Sequence, residues 1–153
     1  MNIAMIGAGY VGLVTGACFS DFGWNVVCVD NKEDRIVRLN EGDMPIYEPG
    51  LGRLVETNVQ AGRLSFTTNL TEAVATAQAV FIAVGTPLRL DDGHADLTDI
   101  FDAAREIAGA LDGYTVVVTK STVPVGTGRK VAEIIHDVCP DADFDQVSNP
   151  EFL

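Results

Sequence analysis

Ile3-Ala4-Met5-Ile6-Gly7-Ala8-Gly9-Tyr10-Val11-Gly12 runs from an apolar segment straight into a cluster of glycines. The apolar run Ile3 to Ile6, stopped by glycine, reads as a strand buried on both faces. Tyr10 to Phe22 carries apolar residues at helical spacing and stops at Gly23, so the strand feeds directly into a helix. Between them Gly7, Gly9 and Gly12 form a G-x-G-x-x-G pattern, weak alone but specific in a strand-to-helix context. Gly7 permits a tight turn. Gly9 lets the backbone approach an anionic group with no Cβ in the way. Gly12 lets the helix pack closely on the sheet. An anion placed there meets the positive end of the helix dipole.

Beyond this stretch, strand and helix signals alternate to the end of the chain. Strands are predicted at Val26 to Val29, Leu64 to Thr67, Ala79 to Val84, Thr115 to Thr119 and Phe144 to Val147. Helices are predicted at Lys32 to Asn40, Arg53 to Gln60, from a cap at Asn69 or Thr71 to about Ala77, at Thr98 to Leu111 and at Thr127 to Val138. Met44 to Gly52 and Gly85 to Asp96 read as loops. The expected class is α/β: a doubly wound, Rossmann-type parallel sheet of about six strands with helices on both faces. With no linker and no shift in composition, residues 1–153 are expected to form one domain.

The net charge of −12, from 22 acidic and 10 basic residues, argues against a nucleic-acid partner or an anionic membrane surface. No apolar run reaches the roughly 18 residues of a membrane span. The first residues lack the basic start and cleavage site of a signal peptide. Cys18, Cys28 and Cys139 are odd in number, widely spaced and set in apolar patterns. They are expected as free thiols in a reducing, cytoplasmic setting. No metal-ligand spacing is present, so no metal is expected; His94 is read as part of a solvated acidic loop, and His136, near a helix carboxyl end, is given a structural role.

Asp30 ends the second strand 18 positions after Gly12. A carboxylate there can accept both ribose hydroxyls of an adenosine and would repel a 2′-phosphate, which favours NAD over NADP. Arg35 follows one helical turn later. It either lies over the adenine or its ribose, or belongs to a solvated helix face. Gly7, Ala8, Gly9, Tyr10, Val11 and Gly12 are taken together as the cofactor loop. In an open α/β sheet, ligands gather at the carboxyl ends of the strands, near the point where strand order reverses. The segments after the first, second, fourth, fifth and sixth strands should therefore share one site.

Four further segments occur in order: Pro45-Ile46-Tyr47-Glu48-Pro49-Gly50-Leu51, Val84-Gly85-Thr86-Pro87, Lys120-Ser121-Thr122-Val123-Pro124-Val125-Gly126-Thr127 and Ser148-Asn149-Pro150-Glu151-Phe152-Leu153. With the glycine loop, they resemble the nucleotide-sugar 6-dehydrogenases of the UDP-glucose/GDP-mannose dehydrogenase family, and within it the UDP-glucose branch. The resemblance covers essentially the whole chain. It implies oxidation of a sugar C6 hydroxymethyl to a carboxylate with two NAD, through a thiohemiacetal and a thioester on a cysteine of a later domain.

None of the three cysteines sits in the matching motif, so this chain alone is expected to bind cofactor without completing the reaction. The resemblance further implies that Val84, Gly85, Thr86 and Pro87 line the cofactor, with Ser121 and Thr122 at its nicotinamide end. Thr122 would hold the catalytic water or the reacting hydroxyl. Glu151 would assist proton transfer, and Glu151, Phe152 and Leu153 would meet the substrate. Lys120 either faces the site or simply ends its strand. A homodimer is implied for the full-length protein. Two alternatives stand beside this reading: a relative using GDP-mannose or an N-acetylated UDP-sugar, and a free-standing, non-catalytic NAD-binding module.

Overall fold

The computed structural model describes residues 1–89 and 93–152. Six parallel strands make one sheet: β1 (Asn2–Ile6), β2 (Asn25–Val29), β3 (Leu64–Thr67), β4 (Ala79–Ile82), β5 (Thr115–Thr119) and β6 (Phe144–Ser148). Their order is β3-β2-β1-β4-β5-β6. The chain builds outward from β1 to β3, then crosses back to place β4 on the other side of β1. The sheet thus reverses direction between β1 and β4, and the connections leaving their carboxyl ends must diverge there.

Helices α1 (Tyr10–Asp21), α2 (Glu33–Asn40) and α3 (Leu51–Gln60) cover one face. Helices α4 (Leu70–Ala75), α5 (Thr98–Ala108) and α6 (Thr127–Val138) cover the other. The period of two along each strand sorts the core into two layers. Ile3, Met5, Val26, Cys28, Leu64 and Phe66 pack with Leu13, Ala17 and Val55. Ala4, Ile6, Val80, Ile82 and Val117 pack with Ile100, Ile107 and Ile135. Among the described residues, no helix is long and apolar enough to cross a membrane.

The elements fall where the sequence pattern puts them, with differences at their ends. β4 stops at Ile82, not Val84. The Ala83 amide donates to Ile6 O, while Ile82 O accepts from both Lys120 and Ser121, so the ladder ends where three strand ends separate. Helix α3 starts at Leu51, two residues early, because Gly50 at φ +85° turns the chain into it. At α4 the cap is Asn69, whose side chain accepts from the Glu72 amide at 3.2 Å. Helix α5 ends at Ala108 and α4 at Ala75, both shorter than their apolar patterns.

The glycine loop is held by close contact. A Cβ on Gly12 would lie 1.8 Å from Gly7 O, a main-chain atom that cannot step aside. A Cβ on Gly9 would meet nothing within 4 Å. Gly9 also has φ −77°, which alanine adopts freely. Gly12→Ala should therefore lose about 3 kcal/mol or more of stability, a fall of roughly 6–12 °C in Tm, whereas Gly9→Ala should stay within about 0.5–1 kcal/mol of the parent. Thermal unfolding of both variants checks this. Equal shifts would contradict the packing.

Candidate functional site

The loop between β1 and α1 opens the site. The Gly7 amide donates to Val29 O at 2.7 Å, joining the end of β1 to that of β2. Gly7 has φ +103°, and a Cβ there would stand 2.6 Å from Ala83 O, so the loop passes directly under the end of β4. A glycine outside the motif adds to the close packing of α1 on the sheet: a Cβ on Gly16 would meet Cys28 Sγ at 2.8 Å. Ala8 is buried in the core, and Val11 packs half-buried against it. Gly9 caps α1, accepting from the Leu13 amide, and faces open space. That space, above the first turn of a helix whose amides lack intrahelical partners, suits a diphosphate.

Asp30 is only 6% exposed. Its Oδ2 accepts from the Ala8 amide at 2.9 Å and from Arg35 Nη1 at 2.7 Å, and its Oδ1 accepts from the Lys32 amide at 3.0 Å. A carboxylate has about four acceptor positions. One remains for a ribose hydroxyl while Arg35 stays in place, and a second opens if Arg35 moves aside. Asp30 thus ties the glycine loop to β2 while lining the cavity. Arg35 belongs to the cavity wall, its side chain 29% exposed and turned onto Asp30.

A cavity of about 520 Å³ lies at the switch point. Gly7, Gly9, Asp30 and Arg35 line one side, and Val84, Gly85 and Pro87 follow from β4. The opposite wall is the Asp99, Asp102 and Glu106 face of α5. The sequence reading missed this wall, although the spacing of the three carboxylates already put them on one helical face. Any 2′-phosphate would enter among them and Asp30, which reinforces the preference for NAD. Arg35 offsets little of this, being already paired with Asp30.

The loops after β4, β5 and β6 are stitched together at the far end. Ser121 is buried, and its hydroxyl donates to Val84 O at 2.7 Å, fastening the β4 loop rather than pointing outward. Thr86 Oγ1 donates to Thr122 O at 3.0 Å. Thr122 is exposed, and its own hydroxyl donates to Glu151 O. Lys120 Nζ lies 3.0 Å from Glu151 Oε2, and the Glu151 amide donates to Lys120 O at 3.1 Å. Phe152 is 79% exposed. Leu153, expected to meet the substrate, lies outside the described residues.

The Tyr47 segment, which the sequence did not place at a strand end, is brought to the glycine loop. Tyr10 opens α1 half-exposed and donates its hydroxyl to Glu48, whose carboxylate pushes the Tyr10 phenol pKa up. None of the cysteines lines the cavity. Cys28 is fully buried, and burial pushes its thiol up to about 12, where it cannot serve as a nucleophile.

A crevice at the reversal of a parallel sheet, floored by a glycine turn and closed by a carboxylate on the neighbouring strand, defines a dinucleotide-binding domain of the dehydrogenase type. The comparisons with known proteins carry this to a family. Residues 1–153 match the UDP-glucose/GDP-mannose dehydrogenase family, NAD binding domain. The UDP-glucose 6-dehydrogenase of Rhizobium meliloti is 63% identical over 153 residues, which is 100% of this chain and 35% of that protein. The GDP-mannose dehydrogenase of Pseudomonas aeruginosa, solved as a ternary complex, superposes with a TM-score of 0.93 at 40% identity, over 100% of this chain and 36% of that one. The UDP-glucose dehydrogenase of Pyrobaculum islandicum gives 0.91 at 41% identity, over 99% of this chain and 36% of its own. This chain belongs to the UDP-glucose/GDP-mannose dehydrogenase family and is its NAD-binding domain. It spans about a third of the length of the curated relatives it matches.

The domain should bind NAD at least about tenfold more tightly than NADP, a difference of about 1.4 kcal/mol. Asp30→Asn should narrow that ratio, and Gly9→Ala should weaken NAD binding with its fold intact. Calorimetric titration measures all three. Equal affinity of the parent for the two cofactors would remove Asp30 from the ribose site.

Proposed function

We propose that this domain works within a longer chain as the cofactor-binding part of a nucleotide-sugar 6-dehydrogenase, one that converts the C6 hydroxymethyl of UDP-glucose to a carboxylate using two NAD. The observation that carries the reading is the meeting of Thr122 and Glu151 beyond the ends of β5 and β6, tied through Thr86 to the loop whose Val84, Gly85 and Pro87 line the cavity. Identity of 63% to a relative named UDP-glucose 6-dehydrogenase supports the choice of sugar nucleotide. The TM-score of 0.93 to a GDP-mannose dehydrogenase keeps that substrate as the second reading. A homodimer in the cytoplasm completes the proposal.

Bound NAD supplies the hydride acceptor; the protein supplies placement and proton handling. Gly9 and the first turn of α1 receive the diphosphate, and Asp30 receives the adenosine ribose. Val84, Gly85 and Pro87 wall the cofactor, with Ser121 locking the loop that carries them. Because the Thr122 hydroxyl proton is committed to Glu151 O, its oxygen presents lone pairs to a sugar hydroxyl or a water. Phe152 and Leu153 follow Glu151 and are assigned to the substrate side.

Glu151 is assigned to the hydrolysis of a thioester whose sulfur comes from a cysteine outside these 153 residues. Water adds its oxygen to the acyl carbon as one of its protons passes to the Glu151 carboxylate. The C–S bond then breaks with its electron pair on sulfur. The proton returns from Glu151 to that thiolate, and the sugar acid leaves.

In the full-length enzyme, Glu151→Gln keeps the shape of the side chain but removes the base. The expected result is a rapid burst of NADH followed by steady turnover about 10²–10⁴-fold slower than the parent. Mass spectrometry of the quenched variant should find the sugar acyl group on the protein. A near-normal steady rate, or a slow one without the adduct, would take Glu151 out of the hydrolytic step.

A further inference from the structure

The geometry points to Lys120 as the residue that positions the Glu151 carboxylate for hydrolysis, an inference that rests on the reading of Glu151 as general base. Lys120 directly follows the last residue of β5, and its side chain is only 13% exposed. Lysine ordinarily keeps its ammonium in water, so a head group withdrawn this far has been recruited to a partner. That partner is Glu151 Oε2 at 3.0 Å, on a side chain that is 34% exposed.

The contact differs from a surface ion pair, in which two long side chains meet and part freely. Here the main chains are joined as well. The Glu151 amide donates to Lys120 O at 3.1 Å, and the Thr122 hydroxyl donates to Glu151 O. One step earlier, Asn149 N donates to Thr119 O at 3.0 Å, continuing the pairing of Thr119 with Ser148 at the ends of β5 and β6. The main chain of Glu151 is thus gripped at its amide and its carbonyl, and its side chain at one oxygen. Lys120 and Thr122 flank the buried Ser121, whose hydroxyl is anchored to Val84 O, so both grips come from a turn that is itself fixed.

The chemical consequence lies in the remaining carboxylate oxygen. With Oε2 held by the ammonium, rotation of the carboxylate about its own axis is restricted, and Oε1 is the oxygen left to accept the proton of the attacking water. A general base works only when held within hydrogen-bond reach of that proton. Lys120 touches neither water nor sugar in this scheme. It acts through Glu151.

The test uses the full-length enzyme with Lys120→Met, Lys120→Arg, Glu151→Gln and the double variant Lys120→Met/Glu151→Gln. Lys120→Met should lose about tenfold in kcat, the scale of one charge-assisted hydrogen bond, with the KM for UDP-glucose within about twofold of the parent. The quenched variant should carry the same acyl adduct as Glu151→Gln. Lys120→Arg should recover most of the rate, and the double variant should be no slower than Glu151→Gln alone. Unchanged thermal unfolding and NAD affinity confirm that Lys120→Met folds; Lys120→Gln replaces it if it does not. Normal turnover, a slow variant without adduct, or additive losses in the double variant would overturn the inference. If Glu151→Gln traps the adduct and Lys120→Met does not, only the positioning role falls. If Glu151→Gln traps nothing, the role of Glu151 falls and this inference falls with it.

Discussion

The bond from the Ala8 amide to the Asp30 carboxylate joins the two turns on which the cavity is built. Ala8 belongs to the loop after β1, and Asp30 closes β2. In a parallel sheet these ends are neighbours, but nothing in the ladder itself fixes how their loops leave it. The carboxylate does so, taking the loop amide on one oxygen and the amide that begins α2 on the other. The glycine turn is then pressed under Ala83 O on its other side, at a distance only glycine tolerates. A single acidic side chain therefore sets the shape of the anion site while keeping lone-pair capacity for the ligand.

The two ends of the site are built in different ways. At the glycine-loop end the work falls to the main chain, one carboxylate and the absence of side chains, which would suit a ligand recognised by its phosphates and ribose. At the other end, hydroxyls and an ion pair join the loops leaving β4, β5 and β6. Ser121 and Thr86 secure that framework, and Thr122 and Glu151 are the groups it displays. The division follows from the sheet. Strand ends are the most rigid places from which a loop can start, and the three loops are short between their strands and the site.

Much of this could be read from the residues in order. Buried strands, amphipathic helices and the glycine turn are local patterns, and they located all six strands and the end of the sheet where the cavity lies. What escaped depends on contacts between distant segments. Nothing in Ala79 to Val84 shows that β4 must end at Ile82. That follows from Gly7 lying against Ala83 and from Ile82 O serving the amides of Lys120 and Ser121, just beyond β5. The carboxylates of α5 reach the cavity only because the crossover lays that helix along it, and Tyr10 meets Glu48 only once α1 is docked. The partner of the Ser121 hydroxyl was likewise not legible. The direction of a hydroxyl is set by the nearest carbonyl, and here that is Val84 O.

We propose that the Gly7–Gly12 turn and Asp30 form one receptor for the diphosphate and adenosine ribose of NAD. A crystal structure of the domain with NAD bound tests it most directly. The diphosphate should lie over Gly9 at the first turn of α1, with a ribose hydroxyl on Asp30 and the Ala8-to-Asp30 bond intact. A dinucleotide bound away from the glycine turn, or an adenosine ribose that makes no contact with Asp30, would contradict it.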